Sequence, residues 1–140
     1  MTITEKQNEI ISEFELLEDW LDKYQLIIDK GISGKGIDPK HKTLENLIEG
    51  CQSKVWLTAE YQDGKVYYQG ESNTDIAGGI VAMLVDTLSG HTPDEILNND
   101  LYFIDRIGLK EHLSPTRANG MLAMIQQIKR FAIAFKAKEK

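Results

Sequence analysis

Cysteine is nearly absent: 140 residues contain one, Cys51. A lone cysteine cannot close an internal disulfide, and the count fits a reducing compartment, by default the cytoplasm. It also excludes a thiolate-ligated cluster scaffold, which needs several Cys or Cys plus His, and a CxxC redox couple. Long apolar runs are missing. None approaches the roughly 20 residues of a membrane span, and residues 1–15 alternate charges with isolated apolar residues, unlike a signal peptide. Positive charge is in deficit: 16 Lys and Arg face 22 Asp and Glu, a formal net charge of −6. That balance argues against nucleic acid or an anionic membrane as partner, because phosphate contacts need clustered cations. The one basic cluster, Lys136, Lys138 and Lys140, reads as a solvated helix end that complements the macrodipole. No repeat, low-complexity tract or Pro/Gly/Ser-rich linker divides the chain. Residues 1–140 are therefore expected to form a single domain, long enough to bury its own core.

What is present falls into three sections. Ile10, Ile11, Phe14 and Leu17, then Trp20, Leu21, Tyr24, Ile27 and Ile28, recur at helix spacing. Pattern alone does not say whether one bent helix or two carry them. Gly31 is expected to stop the helix, and residues 32–42, with Gly34, Gly36 and Pro39, to form an irregular connection. Next comes a hairpin over residues 53–71. Val55, Leu57, Ala59 and Tyr61 alternate with polar or outward positions, Asp63-Gly64 is a favoured two-residue turn, and Lys65 onward returns. A two-residue loop sets Tyr61 opposite Val66 and Ala59 opposite Tyr68, which keeps apolar side chains on one face. An isolated hairpin is marginal in water, so helices must cover that face, with residues 44–48 a candidate third strand. The third section is helical. Asn73 or Thr74 can cap a helix carrying Ile76, Ile80, Met83, Leu84 and Leu88. Thr92-Pro93-Asp94-Glu95 reads as a capping box. Ser114-Pro115 opens a long final helix with Met121, Met124, Ile125, Ile128, Ala132 and Phe135 on one face. The fold class is α+β: a small antiparallel sheet packed against N- and C-terminal helices.

The chemistry-bearing candidate is Cys51, between Gly50, which permits a strained backbone, and polar Gln52 and Ser53. A lone cysteine can equally be a small buried hydrophobe. This one lies at a strand edge, outside any apolar stripe, where loops carry reactive groups. Cys51 with His41, His91 and His112 has no zinc-ligand spacing, so no metal is expected. A Cys51–His112 nucleophile pair lacks a third residue to orient it, and His112 reads better as the turn before the last helix. Gly78-Gly79 lacks a phosphate-loop pattern and is expected to allow close packing of its helix on the hairpin.

Two motifs are specific together. Gly50-Cys51-Gln52-Ser53-Lys54-Val55-Trp56-Leu57 resembles the GCQSxVWL signature of the SufE family, shared with CsdE-type proteins. His112-Leu113-Ser114-Pro115-Thr116-Arg117-Ala118-Asn119-Gly120 is similar to its HLSPSRxNG stretch. Glu71-Ser72, Gly79, Ser89-Gly90, Thr92-Pro93 with Ile96, and the aromatics Trp20 and Tyr24 match in the family's order. Asn73 departs from it, standing where an acidic residue is usual, and residues 32–42 lack the usual Leu-Pro element.

The resemblance implies a fold similar to the IscU-type scaffolds. It implies that Cys51 accepts persulfide sulfur from a PLP-dependent cysteine desulfurase of the SufS or CsdA type. Sulfur would then pass to a Suf-type cluster scaffold complex, with the desulfurase stimulated. PLP would belong to the desulfurase, and this chain would need no cofactor of its own. It would act as a carrier and activator rather than a stand-alone enzyme. Gly50, Gln52, Ser53, Arg117 and His112 are supporting candidates. Arg117 or a helix N-terminus could supply positive potential to a Cys51 thiolate, but the sequence places neither beside it, and Arg117 is equally consistent with a surface contact. Two other classes stay open: a redox-sensing thiol protein, and an interaction module with an inert cysteine.

Overall fold

The computed structural model describes residues 1–138; Lys140, third member of the expected basic cluster, lies outside the described residues. Helix α1, Ile3–Glu15, starts at a full capping box. The Glu5 N–H donates to the Thr2 hydroxyl and the Thr2 N–H to the Glu5 carboxylate, both at 3.0 Å. Helix α2, Trp20–Ser33, starts after Asp19, whose carboxylate accepts from the Leu21 N–H. The N-terminal section is therefore two helices, with Leu17 between them and Leu21 turned to solvent.

Gly31 does not stop α2, which continues to Ser33. A Cβ at Gly31 would lie 2.8 Å from the Gly79 nitrogen and 2.9 Å from the Gly78 carbonyl carbon. The glycine serves a helix crossing rather than a helix end. The expectation for Gly78-Gly79 is corrected with it. These residues belong to helix α3, Asp75–Leu88, and a Cβ on Gly79 would run into the Ile27 backbone of α2, not the hairpin. The hairpin makes its own allowance at Gly70, where a Cβ would meet Val81 at 2.8 Å.

Strands β1, Val55–Gln62, and β2, Lys65–Ser72, pair antiparallel with Tyr61 opposite Val66 and Ala59 opposite Tyr68. Asp63 and Gly64 take φ values of 52° and 79°, the two positive angles of a type I′ turn. Val55, Leu57, Val66 and Tyr68 are buried. The Tyr68 hydroxyl donates to the Ile128 carbonyl at 2.8 Å, so its ring enters the core with its polar tip satisfied. No third strand forms over residues 44–48. Leu44–Asn46 is a 3-10 turn, and only a single bridge, Leu47 to Trp56, reaches β1. On the far edge Val66 bridges to His91, and the Tyr68 N–H donates to the Ser89 hydroxyl.

Helix α4, Pro93–Asn98, opens with the expected box between Thr92 and Glu95. Two short helices follow, α5 (Phe103–Arg106) and α6 (Leu109–His112). Helix α7, Pro115–Lys138, begins where Ser114-Pro115 places it, and Met121, Met124, Ile128 and Ala132 are buried along it. Lys136, expected at a solvated end, pairs with Asp94 at 2.6 Å. One core joins α1, the hairpin, α3 and α7. The buried polar side chain of Gln7, one of two with Thr87 among the described residues, donates to the Asp100 carbonyl and accepts from the Phe103 N–H, which ties α1 to the start of α5. The protein is α+β: one two-stranded sheet with helices around it. Among the described residues no helix is long and apolar enough to cross a membrane.

Candidate functional site

The loop carrying Cys51 is pinned at both ends. Before it, the Ile48 N–H donates to the Val55 carbonyl at 2.9 Å. After it, the Lys54 N–H donates to the Asn73 side-chain oxygen at 3.0 Å, while the Lys54 carbonyl accepts from the Asn73 N–H and the Ser72 hydroxyl. Asn73 thus lacks the charge expected at its position but keeps the acceptor that fixes the loop. Ser53 is anchored too, its hydroxyl accepting from the Thr74 hydroxyl at 2.8 Å. Thr74 occupies the N-cap position of α3 with its side chain committed to that contact and no side-chain cap bond.

Between these pins Gly50 takes φ +91°, a backbone angle that side-chain-bearing residues rarely adopt. The turn lays the loop on the early turns of α7, close enough that a Cβ at Gly50 would meet the Ala123 methyl at 3.4 Å. Cys51 is thereby half-buried, and its thiol donates to the Gly120 carbonyl at 3.4 Å. Burial pushes the Cys51 thiol above its ordinary range. The carbonyl acts in the same direction, since an acceptor can bind the S–H but not a thiolate. What α7 offers the thiol is a carbonyl oxygen from its second turn rather than its N-terminal N–H groups.

The other named residues divide. Gln52 is exposed beside Cys51. Arg117 lies one helical turn before Gly120, exposed, with its N–H on the Ser114 hydroxyl at 3.3 Å. The cause that raises the thiol is its burial. His112 belongs to a different cluster. Its ring stacks on Trp20 at a centroid distance of 3.7 Å, its Nδ1 lies 2.9 Å from the Gly108 carbonyl, and its own carbonyl accepts from the Tyr24 hydroxyl. This cluster clamps α2 to the turn before α7. It accounts for both N-terminal aromatics, and the contacts of the His112 ring are with Trp20 and the Gly108 carbonyl, while the Cys51 thiol bonds to Gly120.

The residue that sequence reasoning misses is Gly120. It is visible as the end of the Asn119-Gly120 motif, but nothing in its spacing links it to a cysteine 69 residues earlier. A shallow groove beside the loop is lined by Glu49, Asn119, Leu122, Ile125 and Lys129 among others, with Leu122 49% exposed. Among the described residues no three or more His, Cys, Asp or Glu side chains gather as a metal site. Chemically, the site is one thiol held protonated on a short, doubly pinned loop.

The family model of SufE, described as an Fe-S metabolism associated domain, matches residues 8–132. An uncharacterized SufE-like protein of Rhizobium meliloti is 38% identical over 127 residues, covering 87% of this chain and 91% of that protein. The SufE-like protein 1 of Arabidopsis thaliana, named as chloroplastic/mitochondrial, is 34% identical over 134 residues, 95% of this chain and 36% of its own length. The solution structure of a hypothetical protein from Thermus thermophilus superposes with a TM-score of 0.75, covering 92% of this chain and 94% of that one. At 19% identity it speaks for the fold alone.

Proposed function

Since this chain belongs to the SufE family and so has a role in iron–sulfur metabolism, we propose that it accepts sulfur on Cys51 from a cysteine desulfurase. It then delivers that sulfur to a cluster-building scaffold complex. The PLP chemistry that frees sulfur from cysteine resides on the desulfurase. The observation that carries the reading is the placement of the thiol: a single cysteine on a pinned loop, half-buried with its proton on the Gly120 carbonyl.

The transfer is thiol–persulfide exchange. The Cys51 thiolate attacks the outer sulfur of the desulfurase persulfide. The new bond forms at Cys51 Sγ as the partner's S–S bond breaks, and the partner's cysteine leaves as a thiolate with the bonding pair. The proton released from Cys51 passes to solvent or to that leaving thiolate. No net oxidation occurs, and removing the persulfide returns the desulfurase for another turnover, which stimulates it.

A buried, carbonyl-bonded thiol is a poor nucleophile at neutral pH. Docking must therefore draw the loop away from α7, exposing Sγ and releasing its proton from Gly120. The same burial disfavours the redox-sensor reading, because peroxide attacks exposed, low-pKa thiolates. A reducing compartment, such as the cytoplasm, keeps such a thiol available.

Intact-protein mass spectrometry after incubation with a desulfurase, PLP and cysteine tests the proposal. Gain of one sulfur atom, absent in Cys51→Ser, is the expected result. No gain, with Cys51 reduced and the desulfurase active, overturns it. Alkylation of Cys51 should also accelerate when the desulfurase is present, and equal rates would remove the loop-opening step.

A further inference from the structure

Gly120 is buried, yet it leaves room. A Cβ placed on it would find one atom from outside its own helix backbone and chain neighbours within 4 Å, the Cys51 sulfur at 3.7 Å. The other tightly placed glycines behave differently. Gly31 and Gly70 each meet an atom at 2.8 Å, and Gly79 meets one closer still. A glycine is therefore not needed at 120 to let two backbones touch. What its missing side chain provides, at a buried position, is a methyl-sized space that opens onto Sγ.

Resting on the sulfur-acceptor reading above, we propose that this space holds the outer sulfur of the Cys51 persulfide, and that Gly120 is the residue that positions it. A sulfur atom and a methyl group have nearly the same van der Waals size. The outer sulfur extends from Sγ by about 2 Å, which brings it into the space an alanine Cβ would fill. The Gly120 carbonyl, already the acceptor of the Cys51 S–H at 3.4 Å, is the acceptor at hand for the terminal S–H of a protonated persulfide. With the loop closed, the outer sulfur is then covered on the α7 side. A reductant must wait for the loop to open before it can remove that sulfur as hydrogen sulfide and regenerate the Cys51 thiol.

The geometry separates two states of the same residue. With a bare thiol, an alanine at 120 makes an ordinary contact with Sγ. With a persulfide, the alanine methyl and the outer sulfur claim one volume, and the loop is held ajar. Gly120 is thus a positioning residue whose effect appears only in the loaded protein.

The test compares wild type and Gly120→Ala, each loaded by a desulfurase with cysteine. Three quantities are read: the alkylation rate of the unloaded thiol, the thermal midpoint of the unloaded protein, and the half-life of the persulfide under excess dithiothreitol. The first should stay within about twofold of wild type and the second should not fall, as an unstrained glycine-to-alanine change in a helix requires. The third should shorten by about tenfold, the size expected when a closed packing arrangement is overfilled by one heavy atom. Equal persulfide half-lives in the two loaded proteins overturn the proposal. A matching loss in the unloaded protein's alkylation protection or thermal midpoint also overturns it, because Gly120 would then matter to the loop whether or not sulfur is present. Failure of wild type itself to gain sulfur is a separate result and refutes the acceptor reading instead.

Discussion

Two glycine contacts stand at opposite ends of this protein's chemistry. At the crossing of α2 and α3, Gly79 sits against the Ile27 backbone with no room for a single carbon. At the Cys51 loop, Gly120 faces a sulfur at ordinary contact distance. The first glycine is a condition of folding, since it lets two helices approach backbone to backbone. The second leaves a space that the resting protein does not use. Identical residues, both buried in helices, answer to different demands, and only their neighbours tell them apart.

The contrast can be broken by substitution. Gly79→Ala should be the most damaging change, costing about 3 kcal/mol or more in urea denaturation, because overfilling a backbone contact displaces a whole helix. A near-neutral result would mean that the α2–α3 crossing is looser than the geometry says. Gly50→Ala comes next. Its φ of +91° should cost about 1–2 kcal/mol and, by straining the loop, raise the alkylation rate of Cys51; unchanged stability would show that the loop readily adopts another path. For Gly120→Ala the sign reverses. Stability should rise by up to ~1 kcal/mol, the helical preference of alanine over glycine, and a loss comparable to Gly79→Ala would erase the distinction between the two contacts.

The smallest effect concerns pH. Burial raises the Cys51 thiol in the folded state, so the folded protein holds that proton more tightly than the unfolded chain does. The stability this contributes is fully present below the ordinary thiol value of about 8.5 and is lost as pH rises through the folded value. Denaturation measured from neutral pH to about pH 10 should therefore show a steeper downward slope than Cys51→Ser does, the remainder belonging to other groups raised in the fold such as Tyr68. Identical slopes would mean that the thiol is solvated in the resting loop.

The hairpin is legible in the sequence because two independent signals coincide in it. The period-2 alternation of β1 and the Asp63-Gly64 turn demand one register, and that register is observed. The Thr92–Glu95 capping box and the Ser114-Pro115 helix start are legible for a similar reason, since each is written within four residues. Gly31 misleads because a helix-stopping glycine and a helix-crossing glycine look alike in sequence; the difference lies in Gly78 and Gly79, which the fold places opposite it. Residues 44–48 reach β1 at one bridge because Leu44–Asn46, the residues that would continue the antiparallel pairing, wind into a 3-10 turn. At the site, the loop and its cysteine are visible as a motif. The partner carbonyl is not, because helix α7 is recognisable from its own period while its rotation against a distant loop is set by the whole core. Arg117 shows the same limit, lying exposed one turn from the carbonyl that the thiol bonds.

The two edges of the hairpin carry a last consequence. A ribbon of only two strands exposes backbone donors and acceptors along both sides, the template on which foreign strands add. Here each side is closed by a short latch: the Leu47–Trp56 bridge on β1, and the Val66–His91 bridge with the Ser89 hydroxyl on β2. These latches add little to the core, yet they deny neighbouring molecules a continuous docking rail. A foreign strand adding along either edge must first displace the latch on that side.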